Sequence, residues 1–284
     1  MPAPLLFGPV SIDRWVDEGL DLPGGGVFNI AVQWARAGMP FRLLSRIGHD
    51  DGAVIQVALA RHHIDALPSL VQPGRTATID VTIRADRQPW MDHFDPGVWA
   101  EVTLTDDDVA ALRAAGRVHA VMVDPVIRSL TALHDDGGLD GVEVSLDLLD
   151  MRHLDDERTD RLLAIADLAF IGWQGAEDDP RLERIATTAA AHRTLVIVTL
   201  GSAGMLALDG RDGTRVRHHI KPLAVLGTTV GCGDAFAGGF LRSWWRDAPG
   251  DIDAALAAGA AEGAAATEWV RPLPDQAYGI QRTS

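Results

Sequence analysis

Thr228-Thr229-Val230-Gly231-Cys232-Gly233-Asp234-Ala235-Phe236 is the stretch of this chain in which three features coincide. Its small residues at 231 to 233 let a backbone approach another group closely. A helix is predicted to begin here, over about Cys232–Arg246, so its unpaired N–H groups and the positive end of its dipole point outward. Such an end binds an anion without help from a lysine. Asp234 falls in the first turn, where a carboxylate is favoured in its ionised form. An ionised Asp beside phosphate-binding amides can accept a proton from a hydroxyl that attacks that phosphate. The same residues also suit a purely structural helix start, a glycine turn followed by an acidic first turn.

Outward from this stretch, short apolar runs alternate with amphipathic ones. Leu5–Ile12 reads as one buried strand, the Gly24-Gly25-Gly26 break follows, and Val27–Met39 carries Val27, Ile30, Ala31, Trp34 and Ala35 on one helical face. Phe41–Ile47 is strand-like and Ala53–His62 helical. Thr76–Arg84 alternates, with Ile79, Val81 and Ile83 on one side, and a piece around Trp90–Phe94 is placed to pair with it. Beyond residue 105 come a helix at Asp106–Ala115, strands at Val118–Val123, Val142–Leu146 and Leu168–Ile171, a helix at Arg181–His192 and a strand at Leu195–Leu200. Met205–Val216 is hairpin-like, and a last helix covers Ile252–Thr267. The alternation predicts an α/β fold, a mostly parallel sheet covered by helices on both faces, as one domain over residues 1–284.

Composition narrows the function. The 284 residues carry a net charge of -15, which excludes a nucleic-acid or anionic-membrane partner because both need a basic footprint. Lys221 is the only lysine. A P-loop ATPase or a protein kinase needs a lysine tied to its glycine motif, so neither fits. A dinucleotide-dependent oxidoreductase fails because Gly24–Gly26 lacks the G-x-G-x-x-G spacing and its acidic ribose partner. No apolar run reaches about 18 residues, and the opening MPAPLLFGPVSIDRW does not read as a signal peptide, so a cytoplasmic protein is expected.

The 228–236 stretch resembles the C-terminal signature of the ribokinase-like (PfkB) carbohydrate kinases, D-T-x-G-A/C-G-D-x-F. Gly24-Gly25-Gly26-Val27-Phe28-Asn29-Ile30-Ala31, then Ala35-Arg36-Ala37-Gly38 and Ser45-Arg46-Ile47-Gly48-His49-Asp50-Asp51-Gly52, resembles the N-terminal one. Thr199-Leu200-Gly201-Ser202-Ala203-Gly204 is similar to the nucleotide-side T-L-G-x-x-G element, and Gly8 and Asp13 to the opening strand. The resemblance runs in order along nearly the whole chain and implies a Rossmann-like, doubly wound sheet with a small β lid, here from about 14–23 and 75–99.

It also implies roles. Asp234 would be the catalytic base, and the amides of Gly231, Cys232 and Gly233 the anion hole. Asp13, Gly24, Gly25 and Asn29 would hold the sugar. Thr199, Gly201, Gly204 and Gly263 would lie on the nucleotide side, with the positions around Gly259–Gly263 lining an adenine slot. ATP and Mg2+ are the implied cofactors, and a homodimer paired through the lid is the implied assembly. Two positions depart from the pattern. Thr228 stands where the family has an Asp that arranges a monovalent-cation loop, so potassium activation is not expected. The N-x-x-E element that organises magnesium reads Gly172-Trp173-Gln174-Gly175-Ala176-Glu177, leaving Glu177 as its acidic half, acting through water. The short link between Asp13 and Gly24, Phe94-Asp95-Pro96-Gly97-Val98 and the acidic Thr105-Asp106-Asp107-Asp108 start are similar to the fructoselysine 6-kinase branch. That implies phosphorylation of a sugar or sugar-amine hydroxymethyl group. A nucleoside kinase, and a non-catalytic sugar or nucleotide sensor on the same fold, are the alternatives.

Three side-chain expectations complete the reading. Trp15, Trp90 and Trp99 are placed to stack on a sugar, Cys232 to have its thiol pKa lowered by the helix start, and Asp106–Asp108 to form a solvated first turn.

Overall fold

The computed structural model describes residues 2–150 and 155–280. Numbered in chain order, eight strands make the central sheet: β1 (Leu5–Phe7), β4 (Arg42–Leu44), β9 (Arg117–Val121), β10 (Glu143–Asp150), β11 (Leu168–Gly172), β12 (Leu195–Thr199), β13 (Met205–Asp209) and β14 (Arg215–His218). Their spatial order is β14-β13-β12-β11-β10-β9-β1-β4, parallel from β4 through β12 and antiparallel at β13 and β14. Successive residues of a strand face opposite sides, and the core divides accordingly. Leu6, Val121, Phe170 and Ile197 join Val27, Phe236, Phe240 and Leu256 of α1 (Gly26–Arg36), α7 (Cys232–Arg242) and α8 (Ile252–Ala266). Leu5, Phe7, Leu146 and Val198 join Leu112, Val126, Leu162 and Ile185 of α3 (Asp106–Ala115), α4 (Asp124–Asp135), α5 (Asp156–Ile165) and α6 (Pro180–His192). Strands buried on both faces explain the near-continuous apolar runs of the sequence.

A second sheet of four strands, β3-β2-β7-β8, stands apart from the first: β2 (Ser11–Trp15), β3 (Leu20–Gly24), β7 (Ala77–Ile83) and β8 (Pro89–Asp95). β2 pairs antiparallel with β3 and parallel with β7, setting Asp13 opposite Leu22 and Ile79. The run Leu5–Ile12, read above as one strand, is therefore divided between two sheets. It breaks at Gly8, whose φ of +154° and close approach to Val27 suit a residue without Cβ, and at Pro9, which has no N–H for a ladder. Among the helices absent from the sequence reading, α4 and α5 each carry a start signal. Pro125 sits in the first turn of α4, and the Asp155 side chain accepts from the Arg158 amide at 2.7 Å at the start of α5. The predicted Cys232–Arg246 helix is α-helical to Arg242 and continues as a π-helical turn over Ser243–Asp247. Among the described residues no helix is long and apolar enough to cross a membrane.

Candidate active site

The carboxyl ends of parallel strands are where α/β folds place ligands, and here the triple glycine makes room for two acids at that end. Gly24 has no Cβ because the Asp13 carboxylate fills that space: a methyl would fall 1.9 Å from Asp13 Oδ2. Gly25 caps α1 at φ +93°, where a Cβ would lie 2.6 Å from the Pro9 carbonyl oxygen. Gly26, which the sequence reading left without a role, faces the other acid: its Cβ would lie 2.9 Å from Asp234 Oδ1.

Asp13 is buried on β2 and accepts from the Ser11 hydroxyl at 2.6 Å. Burial pushes its pKa up to about 6, with the Ser11 bond pulling down and the Asp234 charge adding to the rise. Asp234 is half-buried in the first turn of α7, and its Oδ2 accepts from Asn29 Nδ2 at 2.7 Å. Loss of water raises its pKa to about 6 against the pull of that hydrogen bond. Asn29 is buried on α1, one turn beyond Gly25, whose carbonyl accepts from its amide at 3.0 Å. Its Oδ1 has no partner among the described residues.

A third acid escaped the sequence reading. Asp147, in the carboxyl half of β10, is buried, and its Oδ1 accepts from the Leu149 amide at 2.8 Å. Burial, and then the charge of Asp234, push its pKa up to about 7. The signal was a charged residue within the otherwise uncharged stretch Val144-Ser145-Leu146-Asp147-Leu148. Tyr278 of α9 (Asp275–Tyr278) was also missed. Burial, with Asp13 next in weight, raises its pKa, so a C-terminal element more than two hundred residues from Asp13 forms part of the surroundings of both acids.

The start of α7 supplies the complementary charge. Gly231 caps it in the left-handed region at φ +76°, pressed against Pro272, with 2.5 Å between its absent Cβ and the proline side chain. Gly233 is exposed and has open space around it. Of the three amides expected to face an anion, that of Cys232 donates to the Thr229 carbonyl at 3.3 Å, while those of Gly231 and Gly233 have no acceptor among the described residues. The Cys232 thiol departs from expectation. Burial, reinforced by the Asp234 charge, pushes its pKa up to about 11, outweighing the helix start. Thr228 is buried, its hydroxyl donating to the Val270 carbonyl at 3.0 Å and its amide to Trp269, so it fastens the loop to the chain that carries Pro272.

Thr199 ends β12, and the 201–204 turn follows it, with Gly204 N–H donating to Gly201 and Leu200 N–H to Gly204. Gly204 sits at φ +104° against the His218 carbonyl. Gly263 is half-buried on α8, its nearest neighbours Cys232 and Phe236, whereas Gly259 is a close-packing position against the Phe236 ring. Glu177 is held by the Arg217 guanidinium, which also donates to the carbonyls of Ala203, Met205 and His218 and so braces the 201–205 turn.

The remaining side-chain expectations divide. Trp15 is buried with Arg271 stacked 5.4 Å from its ring, and Trp99 is buried against Phe7 with its N–H on the Arg46 carbonyl; both are core residues, not sugar platforms. Trp90 is 46% exposed on β8 beneath Arg84. Asp106 and Asp107 are exposed, but Asp108 is buried and joined to Arg46 at 2.5 Å.

Comparison with known proteins places the chain. A family profile described as pfkB family carbohydrate kinase matches residues 158–270. The chain is 30% identical over 239 residues to fructoselysine 6-kinase of Escherichia coli (strain K12), covering 84% of this chain and 87% of that one. It is 29% identical over 280 residues to a fructokinase of Klebsiella pneumoniae, covering 89% and 87%. In three dimensions it is similar to Arabidopsis thaliana ribokinase complexed with ribose and ATP, with a TM-score of 0.72, 21% identity and 99% of each chain covered.

Proposed function

The chain belongs to the PfkB family of carbohydrate kinases, and on that footing we propose that it transfers the γ-phosphate of ATP to a hydroxymethyl group of a fructosamine such as fructoselysine, with Asp234 as general base. Membership makes it a phosphotransferase with an alcohol group as acceptor, a kinase of sugars or nucleosides. The observation that carries the finer reading is the start of α7. There a half-buried carboxylate, oriented by Asn29, directly follows two amides with no acceptor among the described residues.

Asp234 accepts the proton of the acceptor hydroxyl, whose oxygen forms a bond to the γ-phosphorus while the bond to the ADP oxygen breaks. The amides of Gly231 and Gly233, with the positive end of α7 behind them, stabilise the charge on the phosphoryl oxygens without a lysine. Asn29 fixes which oxygen of Asp234 is presented. Asp13, held by Ser11 and by the space at Gly24, anchors the acceptor. The β2–β3 and β7–β8 strands, residues 14–23 and 75–99, act as the lid of a single domain and exclude water. Thr199, Gly201, Gly204 and Gly263 form the nucleotide side.

Mg2+ prefers hard oxygen ligands and retains waters. Asp147 fits: it is an acid with one main-chain hydrogen bond, near Asp234, whose raised pKa a cation would bring back down. Glu177 fits less well, since Arg217 already neutralises it, and we assign it to bracing the 201–205 turn. Held at Asp147, Mg2+ would supply screening between the ATP phosphates and the carboxylates of Asp13, Asp147 and Asp234. Thr228 gives the potassium loop no carboxylate, so activity independent of K+ is expected. β8 is an edge strand carrying Trp90, Met91 and Phe94, each 46% exposed, which suits pairing of two lids into a dimer.

The fructosamine is favoured by the likeness to fructoselysine 6-kinase and by charge. Among the described residues no basic side chain perturbs Asp13 or Asp234, so an acceptor bearing an ammonium group meets acids that lack a basic partner. The test is ADP release from Mg·ATP across fructosamines, fructose, ribose and nucleosides. Fructoselysine is expected to give the highest kcat/KM. Release with none of them would overturn the enzyme reading in favour of a sensor.

A further inference from the structure

The turn between β7 and β8 touches a loop 139 residues further along the chain. The Arg87 guanidinium donates to the main-chain carbonyls of Leu226 and of Gly227, the latter at 3.3 Å. The Arg87 carbonyl accepts from the Thr229 amide at 3.4 Å, and the Thr229 hydroxyl donates to Gln88 Oε1 at 2.8 Å. Arg87 itself sits at φ +64°, a conformation a non-glycine residue adopts at some cost and keeps only when its surroundings enforce it. Among the described residues no carboxylate pairs with Arg87, so this guanidinium does not act as an ion-pair partner; its bonds end on the backbone of the 226–229 loop.

Both ends of this contact lead to the site. β7 pairs with β2, which carries Asp13, over Ala77–Val81. The 226–229 loop runs straight into Gly231 and the start of α7. We infer that Arg87 and Gln88 are positioning residues, a latch that holds the sheet bearing Asp13 onto the loop that sets the Gly231–Asp234 turn, so that acceptor and nucleotide sites are energetically coupled. This rests on the reading above, in which Asp13 holds the acceptor and the α7 start holds the phosphoryl group. Closing the sheet over an acceptor then fixes the loop backbone in advance of the nucleotide, and the nucleotide gains by what it no longer has to order.

Two measurements on the full chain test it. Hydrogen–deuterium exchange of Arg87→Ala requires no turnover. Exchange is expected to rise at 226–231 as well as at 84–90, and unchanged exchange at 226–231 overturns the latch. The second is the Kd of Mg·AMP-PNP with and without saturating fructoselysine. In the wild type the acceptor is expected to tighten the nucleotide by roughly fivefold or more. In Arg87→Ala that ratio falls to about one while the thermal midpoint stays put, and Arg87→Lys keeps part of it. A variant that retains the wild-type ratio overturns the proposal. If the wild type binds no fructoselysine, the acceptor assignment fails, and the exchange experiment still decides the latch.

Discussion

Asp108 and Asp147 are both buried carboxylates, and the chain treats them in opposite ways. Asp108 accepts from the Arg46 guanidinium at 2.5 Å, from the Ser69 hydroxyl at 2.5 Å and from the Thr105 amide at 2.9 Å. Burial alone would raise its pKa, but these partners outweigh burial and hold it below the usual carboxylate range. Asp147 has one amide, Asp13 a hydroxyl and an amide, and Asp234 a single asparagine. All three are pushed up, to about 7, 6 and 6 respectively. The chain surrounds the buried acid that starts α3 with a guanidinium, a hydroxyl and an amide, yet gives Asp147, Asp13 and Asp234 fewer donors and, among the described residues, no basic side chain that perturbs them. Incomplete satisfaction of that kind marks a site kept ready for something else to bind.

Substitutions can break the contrast. Asp108→Ala leaves Arg46 buried without its charge partner and is expected to cost about 3–5 kcal/mol in urea unfolding at neutral pH. A cost similar to that of removing Asp147 would erase the distinction. Gly24→Ala places a methyl where the Asp13 carboxylate sits. Loss of one hydrogen bond to a charged group is expected to raise the acceptor KM by about 10- to 100-fold, while the KM for ATP stays near wild type.

The pH dependence sharpens the same comparison. Asp234 must be ionised to accept a proton, so kcat/KM should rise with pH through an acidic limb near 6. Asn29→Ala removes the bond that lowers this pKa, and the limb should move to higher pH; a limb that stays put or moves down would show that Asn29 does not govern the base. The smallest effect concerns stability. An acid whose folded pKa is raised is neutral in both states below about 4 and opposes folding progressively as pH climbs from there to its folded pKa, about 7 for Asp147. Asp147→Asn is therefore expected to raise Tm by a few degrees at pH 8, a gain that disappears at pH 4. Differential scanning calorimetry at the two pH values checks it.

What could be read from the residues alone follows from the range of the interactions. The βα alternation, the hairpin at 205–216 and the helix at 106–115 are local patterns of period two or 3.6, and they were legible. The division of Leu5–Ile12 between two sheets was not, because both halves are buried strands and only the partner strands differ. Asp234 stood out through the small residues and helix start around it, and Asp13 and Asn29 only through the resemblance of their surroundings to family motifs. The structure adds that Asn29 and Asp234, 205 residues apart, bond directly. Asp147 lay one residue beyond the predicted end of its strand, and Tyr278, Arg46–Asp108 and the Arg87 contact join segments with no local signature. Cys232 failed for an energetic reason: the helix start lowers a thiol pKa, but burial beside a carboxylate raises it more.

The central claim is that Asp234 removes the proton from the acceptor hydroxyl. The direct test is steady-state ADP release by Asp234→Asn at pH 8 with fructoselysine and Mg·ATP, alongside calorimetric binding of ATP. Turnover is expected to fall by about 10²- to 10⁴-fold, with ATP affinity held within a few-fold of the wild type. Turnover equal to that of the wild type would contradict it.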